Sequence, residues 1–244
     1  MFSLCIPTMD RYDNFLSKNL PDYIENDLIE EIIIQDENGN DVEKIKNSGL
    51  NLDKIILFVN EKKLGPFLNK ISVCKKAKND WIALIDSDNF APHNYFEVAK
   101  KYIENNKCNN LTILAPSWAQ PNFDYRAIEG MIYKRGNFKN NRNEEKRRKT
   151  KCTECCMNTG NYILNKNLVQ IINLENHEEN IKKSSACDVI FFNTLLFLQT
   201  DMEFHIVKNM FYKHVVHPGS VYTKTCNNFP GFNKKIHLMY RKLN

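Results

Sequence analysis

No stretch of this 244-residue chain is long and apolar enough to cross a membrane. The most apolar run, Val189 to Leu198, is short and interrupted by Asn193, whereas a spanning helix needs roughly 20 apolar residues. The sequence also predicts no targeting leader. Met1 runs almost directly into the strand-like Phe2 to Ile6, with no basic segment and no cleavage-site pattern. The expectation is a cytoplasmic chain whose eight cysteines stay reduced. Half of a zinc motif is present at Cys152, Cys155 and Cys156, but no second pair follows, and a structural zinc site takes four ligands. Free thiols are the simpler reading. Glycine is scarce while asparagine and lysine are abundant, a bias without functional content. There is no internal repeat and no linker, which predicts one domain. The net charge is only +5, and much of the excess sits in one exposed loop, Lys134 to Lys151. That basic run, with Arg142, Lys146, Arg147, Arg148 and Lys149, has no interleaved aromatics, so nucleic acid is a poor partner.

What is present is a core and a rhythm. With 42% hydrophobic residues, the chain can bury a sizeable interior. Strand and helix signals alternate through the N-terminal half. Ser3 to Ile6, Ile32 to Ile34, Ile55 to Val59, Trp81 to Asp86 and Leu111 to Ala115 read as strands. Between them, Phe15, Leu16, Leu20, Tyr23 and Ile24 recur at helical spacing, with Asp10 as cap. Gly65-Pro66 opens a second helix, and Pro92 a third. This alternation predicts a mostly parallel central sheet with helices on both faces. The C-terminal half is less regular. It offers a Thr159-Gly160-Asn161 turn, a helix from Cys187 to Gln199 and two strand-like runs, Phe204 to Val207 and Phe211 to Val216.

Two carboxylates close the fourth strand. Trp81 to Ile85 is continuous rather than alternating, as in a central strand covered on both faces. Asp86 and Asp88 follow, and side chains two apart on an extended segment point the same way. Converging carboxylates call for a cation between them, and hard oxygen ligands suit Mg²⁺ or Mn²⁺. A plain Asp/Ser/Asn turn is the alternative. The first four strands end at Thr8, Asp36, Asn60 and Asp86. In a parallel sheet these ends share one edge, where open α/β sheets bind ligands.

These residues, in this order, resemble the GT-A-fold glycosyltransferases of the family 2 type. Ile6-Pro7-Thr8 with Asp10-Arg11 is similar to that family's opening strand and turn. Ile34-Gln35-Asp36 is similar to its second strand, whose acid meets the nucleotide base. Asn60, Leu64-Gly65, Asn69 and Ala77 resemble the approach to its DxD motif, here Asp86-Ser87-Asp88. Thr159-Gly160-Asn161 resembles an acceptor-side turn, and His217-Pro218-Gly219-Ser220 a late histidine loop. Cys187-Asp188 stands where the family has Glu-Asp.

The resemblance implies a Rossmann-like GT-A domain over residues 1–244. Its first half, 1–115, would bind a UDP- or GDP-sugar through Thr8, Asp10, Arg11, Asp36, Asn60, Asn69, Asp86 and Ser87. Its second half, 116–244, would bind a glycan, glycolipid or protein acceptor, with Gly160 and Asn161 on that side. Asp86, Asp88 and His217 would hold Mn²⁺ or Mg²⁺, which acts as a Lewis acid on the leaving diphosphate. Asp188 would be the general base of an inverting transfer.

The simpler alternatives stay open for three of these: a helix cap for Asp188, a loop histidine for His217 and a solvated residue for Arg11. Cys187 in place of an acid leaves a non-catalytic sugar-binding domain as the other reading of the whole. A dehalogenase-type phosphatase also carries DxD, but after its first strand and followed by Gly-Thr. A pyrophosphorylase would need a glycine-rich loop after strand one.

Overall fold

A computed structural model describes residues 1–147, 159–186, 188–225 and 231–243. Four parallel strands come first: β1 (Phe2–Thr8), β2 (Ile29–Asp36), β3 (Ile55–Val59) and β4 (Trp81–Leu84). In register, Thr8 lies beside Asp36, Asp36 beside Val59, and Cys5 beside Leu84. The polar strand ends therefore do meet on one edge. Alternate residues feed two cores, one on each sheet face. Cys5, Ile33, Ile82 and Leu84 face one, while Leu4, Ile6, Ile34, Ala83 and Ile85 face the other. This two-sided burial is why β1, β2 and β4 read as unbroken apolar runs.

The helices of this half are α1 (Ser17–Glu25), α2 (Asn40–Lys46), α3 (Pro66–Lys75) and α4 (His93–Asn105). They are short and amphipathic, and each returns the chain to the next parallel strand. Helix α3 buries Phe67, Ile71 and Cys74 on one sheet face. Helices α1 and α4 bury Leu20, Tyr23, Tyr95 and Phe96 on the other.

The second half adds β5 (Thr112–Gln120), β6 (Phe123–Asp124), β7 (Ile132–Tyr133), β8 (Tyr162–Asn165) and β9 (Glu203–Lys213). The sheet order is β3-β2-β1-β4-β8-β5-β9-β7, with β6 paired to β5. Strand β8 enters antiparallel between β4 and β5, so the two halves interleave rather than abut. The two runs expected at 204–207 and 211–216 form one strand, β9. Its pairing with β5 shifts between Pro116 and Trp118, and Asn209 adopts φ 61 nearby. Such an irregularity splits the apolar pattern in sequence while the ladder continues in space.

Among the described residues, the second half adds the α-helices α5 (Phe138–Arg147), α6 (Lys166–Ile171), α7 (Glu178–Lys183), α8 (Asp188–Gln199), the short α9 (Val221–Thr225) and α10 (Phe232–Tyr240). The loop expected from Lys134 to Lys151 is therefore helical over 138–147. Phe138 anchors that helix, fully buried with its ring 5.0 Å from that of Phe197. The Cys152, Cys155 and Cys156 cluster and Cys187 lie outside the described residues. Among the described residues, no helix is long and apolar enough to cross a membrane.

Candidate active site

A cleft of about 1380 Å³ opens along the carboxyl edge of the sheet. Thr8, Arg11, Asn69, Asp86, Ser87 and Asp88 line it from the first half, and Gly160, Asn161 and Asp188 from the second.

On the nucleotide side, the structure changes several sequence-based assignments. Asp10 is not the cap of the helix that follows. It sits at φ 55 on the surface and accepts hydrogen bonds from the Asn38 and Asn40 amides, which hold its carboxyl below the usual range. The cap is Asp41, thirty residues beyond Arg11. Its carboxylate accepts from the Arg11 and Tyr12 backbone N–H groups, at 2.9 and 2.8 Å, and from the Thr8 hydroxyl at 2.5 Å. Local sequence favours Asp10, but its left-handed backbone turns the side chain toward the Asn38–Asn40 turn instead.

Asp36 is fully buried and does not line the cleft. Its carboxylate is taken up by the N–H groups of Asn38, Asp41 and Val42, where it caps α2. Burial pushes its carboxyl up, and those three bonds oppose the rise. Asn60 also stands behind the wall. It receives the Gln35 amide and donates to Glu37 and to Asn69, at 2.9 and 3.0 Å. Glu37 is the acid that reaches the cleft. One of its oxygens accepts from Asn60 and Leu64, while Oε1 has no hydrogen-bond partner among the described residues. It was legible only as the residue after the expected Asp36.

At the centre, β4 stops at Leu84 and the two aspartates lie on a turn closed by the Asn89 N–H on the Asp86 carbonyl, at 2.9 Å. They are not on an extended segment, so they face different partners. Asp86 meets Lys70 Nζ at 2.9 Å and is tied to Asn161, whose Oδ1 accepts its backbone N–H at 2.6 Å. Asp88 meets His217 Nε2 at 3.0 Å. Burial and the neighbouring Asp86 charge push the Asp88 carboxyl above its usual range, against the pull of His217. A cation would relieve that excess negative charge. Asp88 oxygen with His217 nitrogen is a donor pair that suits Mn²⁺. Among the described residues no three His, Cys, Asp or Glu side chains form a cage. One or two protein ligands completed by substrate phosphates is a usual arrangement for such ions in phosphate chemistry.

Asp188 opens α8 from across the cleft. Lys70 Nζ lies 2.7 Å from its Oδ2, which has no further hydrogen-bond partner among the described residues. Gly160 is where β8 passes this helix start: a Cβ there would stand 2.6 Å from Val189 Cγ2. A side chain larger than hydrogen fits only if Val189 shifts. Lys70 itself escaped the sequence reading. The available signal was its register, one lysine on the α3 face that carries Phe67, Ile71 and Cys74. Burial opposes its charge, yet Asp188 and Asp86 outweigh that and hold the ammonium well above its ordinary range.

The 214–220 loop closes one side. The Val215 N–H donates to Asn89 Oδ1 at 3.0 Å, and Arg11 Nη2 donates to the Gly219 carbonyl at 2.7 Å. Arg11 is thus held at the cleft rather than solvated.

Comparison with known proteins places this chain in a family. Residues 3–167 match the model of glycosyl transferase family 2. Among solved structures, S. aureus TarS residues 1–349 matches with TM-score 0.63 at 15% identity, covering 98% of this chain and 64% of TarS 1–349. The same protein in complex with UDP-GlcNAc matches with TM-score 0.67 at 13% identity, covering 98% and 66%. The chain thus spans about two thirds of that structure, and 37% of a longer TarS chain. No curated protein matches in sequence. With two thirds of its length under the family model and acids at the carboxyl edge of a mostly parallel sheet, the chain belongs to glycosyl transferase family 2 and has the GT-A fold.

Proposed function

We propose that this protein moves a sugar from a UDP-sugar to an acceptor hydroxyl in a metal-assisted, inverting single displacement. One observation carries the reading: Asp188, a partly buried carboxylate whose Oδ2 is held by the Lys70 ammonium, faces the Asp86–Asp88 turn across one cleft. The acceptor oxygen attacks the anomeric carbon as the carbon–diphosphate bond breaks, and Asp188 takes the hydroxyl proton. Asp88 and His217 would hold Mn²⁺ or Mg²⁺, which supplies positive charge to the leaving diphosphate. Arg11 adds a fixed cation on the same side. Thr8, Asn69 and Ser87 line the donor end. Glu37 takes over the base- or ribose-binding role expected of Asp36, because its Oε1 is an open acceptor. Gly160 and Asn161 form the acceptor side. The likeness to TarS with UDP-GlcNAc favours UDP over GDP.

Calorimetry tests the metal and the nucleotide together. Mn²⁺ is expected to tighten UDP binding at least tenfold, and Asp88→Ala to remove that gain while the protein stays folded. UDP binding indifferent to Mn²⁺ would sink the metal-assisted reading. Binding without any transfer would leave a sugar-nucleotide-binding domain.

A further inference from the structure

Three aspartates and one ammonium meet at the cleft, and the ammonium is buried. Lys70 has 10% of its side chain exposed, and lies 2.9 Å from Asp86 and 2.7 Å from Asp188. A buried ion pair is a costly device. Replacing such a pair by apolar side chains of similar size is often neutral or stabilising. The α3 face around it, with Phe67, Ile71 and Cys74, would accept an apolar residue. What the lysine does that an apolar residue would not is fix a direction. The start of α8 is already placed by the Gly160–Val189 contact and by Asn193, which donates to the Thr159 carbonyl and accepts from the Tyr162 hydroxyl. Those contacts set the backbone. They do not touch the Asp188 carboxylate, whose Oδ2 meets the Lys70 ammonium at 2.7 Å. Its direction rests on the Lys70 charge.

We propose that Lys70 is a positioning residue for the transfer step: its ammonium ties the Asp188 carboxylate to the donor-side Asp86 and so sets where the acceptor hydroxyl loses its proton. The inference rests on the glycosyl-transfer reading above. Lys70 takes no proton from the acceptor. It holds the group that does, at a fixed offset from the turn that carries the donor.

The test is UDP release from UDP-GlcNAc with Mn²⁺, water standing in for the acceptor. Lys70→Met is expected to lower kcat about 100-fold, the usual cost of misplacing a reacting group by an ångström. KM for UDP-GlcNAc should stay within about threefold, since donor contacts are retained. Lys70→Arg, which keeps the charge, should recover at least about a tenth of the wild-type rate. An unchanged kcat in Lys70→Met overturns the proposal, as does a raised KM at constant kcat or an Arg variant no better than Met. Should Lys70→Met fail to fold, the pair Lys70→Met with Asp188→Asn removes the charge imbalance. Its rate should equal that of Asp188→Asn alone, because a positioning residue has nothing left to position. A further loss in the pair overturns the proposal. Wild-type protein that releases no UDP overturns the functional reading and this inference with it, whereas an active wild type with an unaltered Lys70→Met overturns the inference alone.

Discussion

The two halves of the chain bring polar residues to the cleft in opposite ways. In the first half, most polar strand ends are spent on the scaffold. Asp36 caps α2, Asp41 caps the turn after β1, and Asn60, Gln35 and Asn69 bind one another. In the second half, the groups at the cleft have little local support and look across it. Asn161 holds Asp86, His217 meets Asp88, Asp188 meets Lys70, and the loop of Val215 and Gly219 is tied to Asn89 and Arg11. The difference teaches that the site is made at the seam. The first half is a ledge most of whose polar strand ends are bound within it. The second half carries reactive groups whose positions that ledge dictates.

The sharpest way to break this comparison is Asp188→Asn. If the second half supplies the base and the first half binds the donor, turnover should fall by roughly 10²–10⁴, the range of general-base catalysis. UDP affinity by calorimetry should hold. Unchanged turnover would clear Asp188 and return it to the role of a helix cap.

The ledge was far more legible in sequence than the seam. Unbroken β-branched runs such as Ile32-Ile33-Ile34 announce buried parallel strands, and each ends where the structure ends it within a few residues. Those signals are local, because a strand's burial on both faces is written in its own residues. Lys70 with Asp188, and Asp41 with Arg11, are pairings across 118 and 30 positions, and no local pattern encodes them. Asp10 and Asp36 were assigned by position along the chain. The backbone turned one outward and the other inward, a choice made by φ at Asp10 and by three N–H groups at Asp36.

Asp41→Ala sharpens the scaffold side. It leaves the Thr8 hydroxyl and two backbone N–H groups without their acceptor. Buried donors stripped of partners cost about 1–3 kcal/mol each, less where water reaches them, so a loss of about 2–4 kcal/mol is expected. Thermal unfolding should show a drop of several degrees, roughly 2–4 °C per kcal/mol for a domain of this size. A Tm that does not move, together with lost UDP binding, would make Asp41 a ligand contact rather than a scaffold residue. Gly160→Ala probes the seam more gently. The new Cβ meets Val189 at the start of α8, and overpacking of that kind costs about 1–3 kcal/mol. Because α8 carries Asp188, kcat should fall alongside stability. A stable variant with lost donor affinity would place the glycine in the donor site instead.

The smallest effect lies at the opposite edge of the sheet, where the halves also meet. Tyr102 of α4 bonds to His205 Nδ1 of β9 at 3.0 Å, and His205 Nε2 faces Glu203 at 3.3 Å. Lys134 completes the row, 3.1 Å from the other Glu203 oxygen. Burial lowers the affinity of His205 for a proton, and Glu203 only partly offsets this. The folded protein therefore holds the imidazole neutral below the pH at which the unfolded chain, with an ordinary histidine pKa of about 6.5, takes up the proton. Stability from this site is complete above about pH 6.5 and is lost as pH falls through the lower folded value. His205→Gln keeps a hydrogen-bonding side chain but cannot titrate. Between about pH 8 and about pH 5, wild-type Tm should fall further than that of the variant, with the gap opening only below the ordinary histidine range. Parallel curves would mean that protonation at this seam costs nothing, and that the halves are held together at the cleft edge alone.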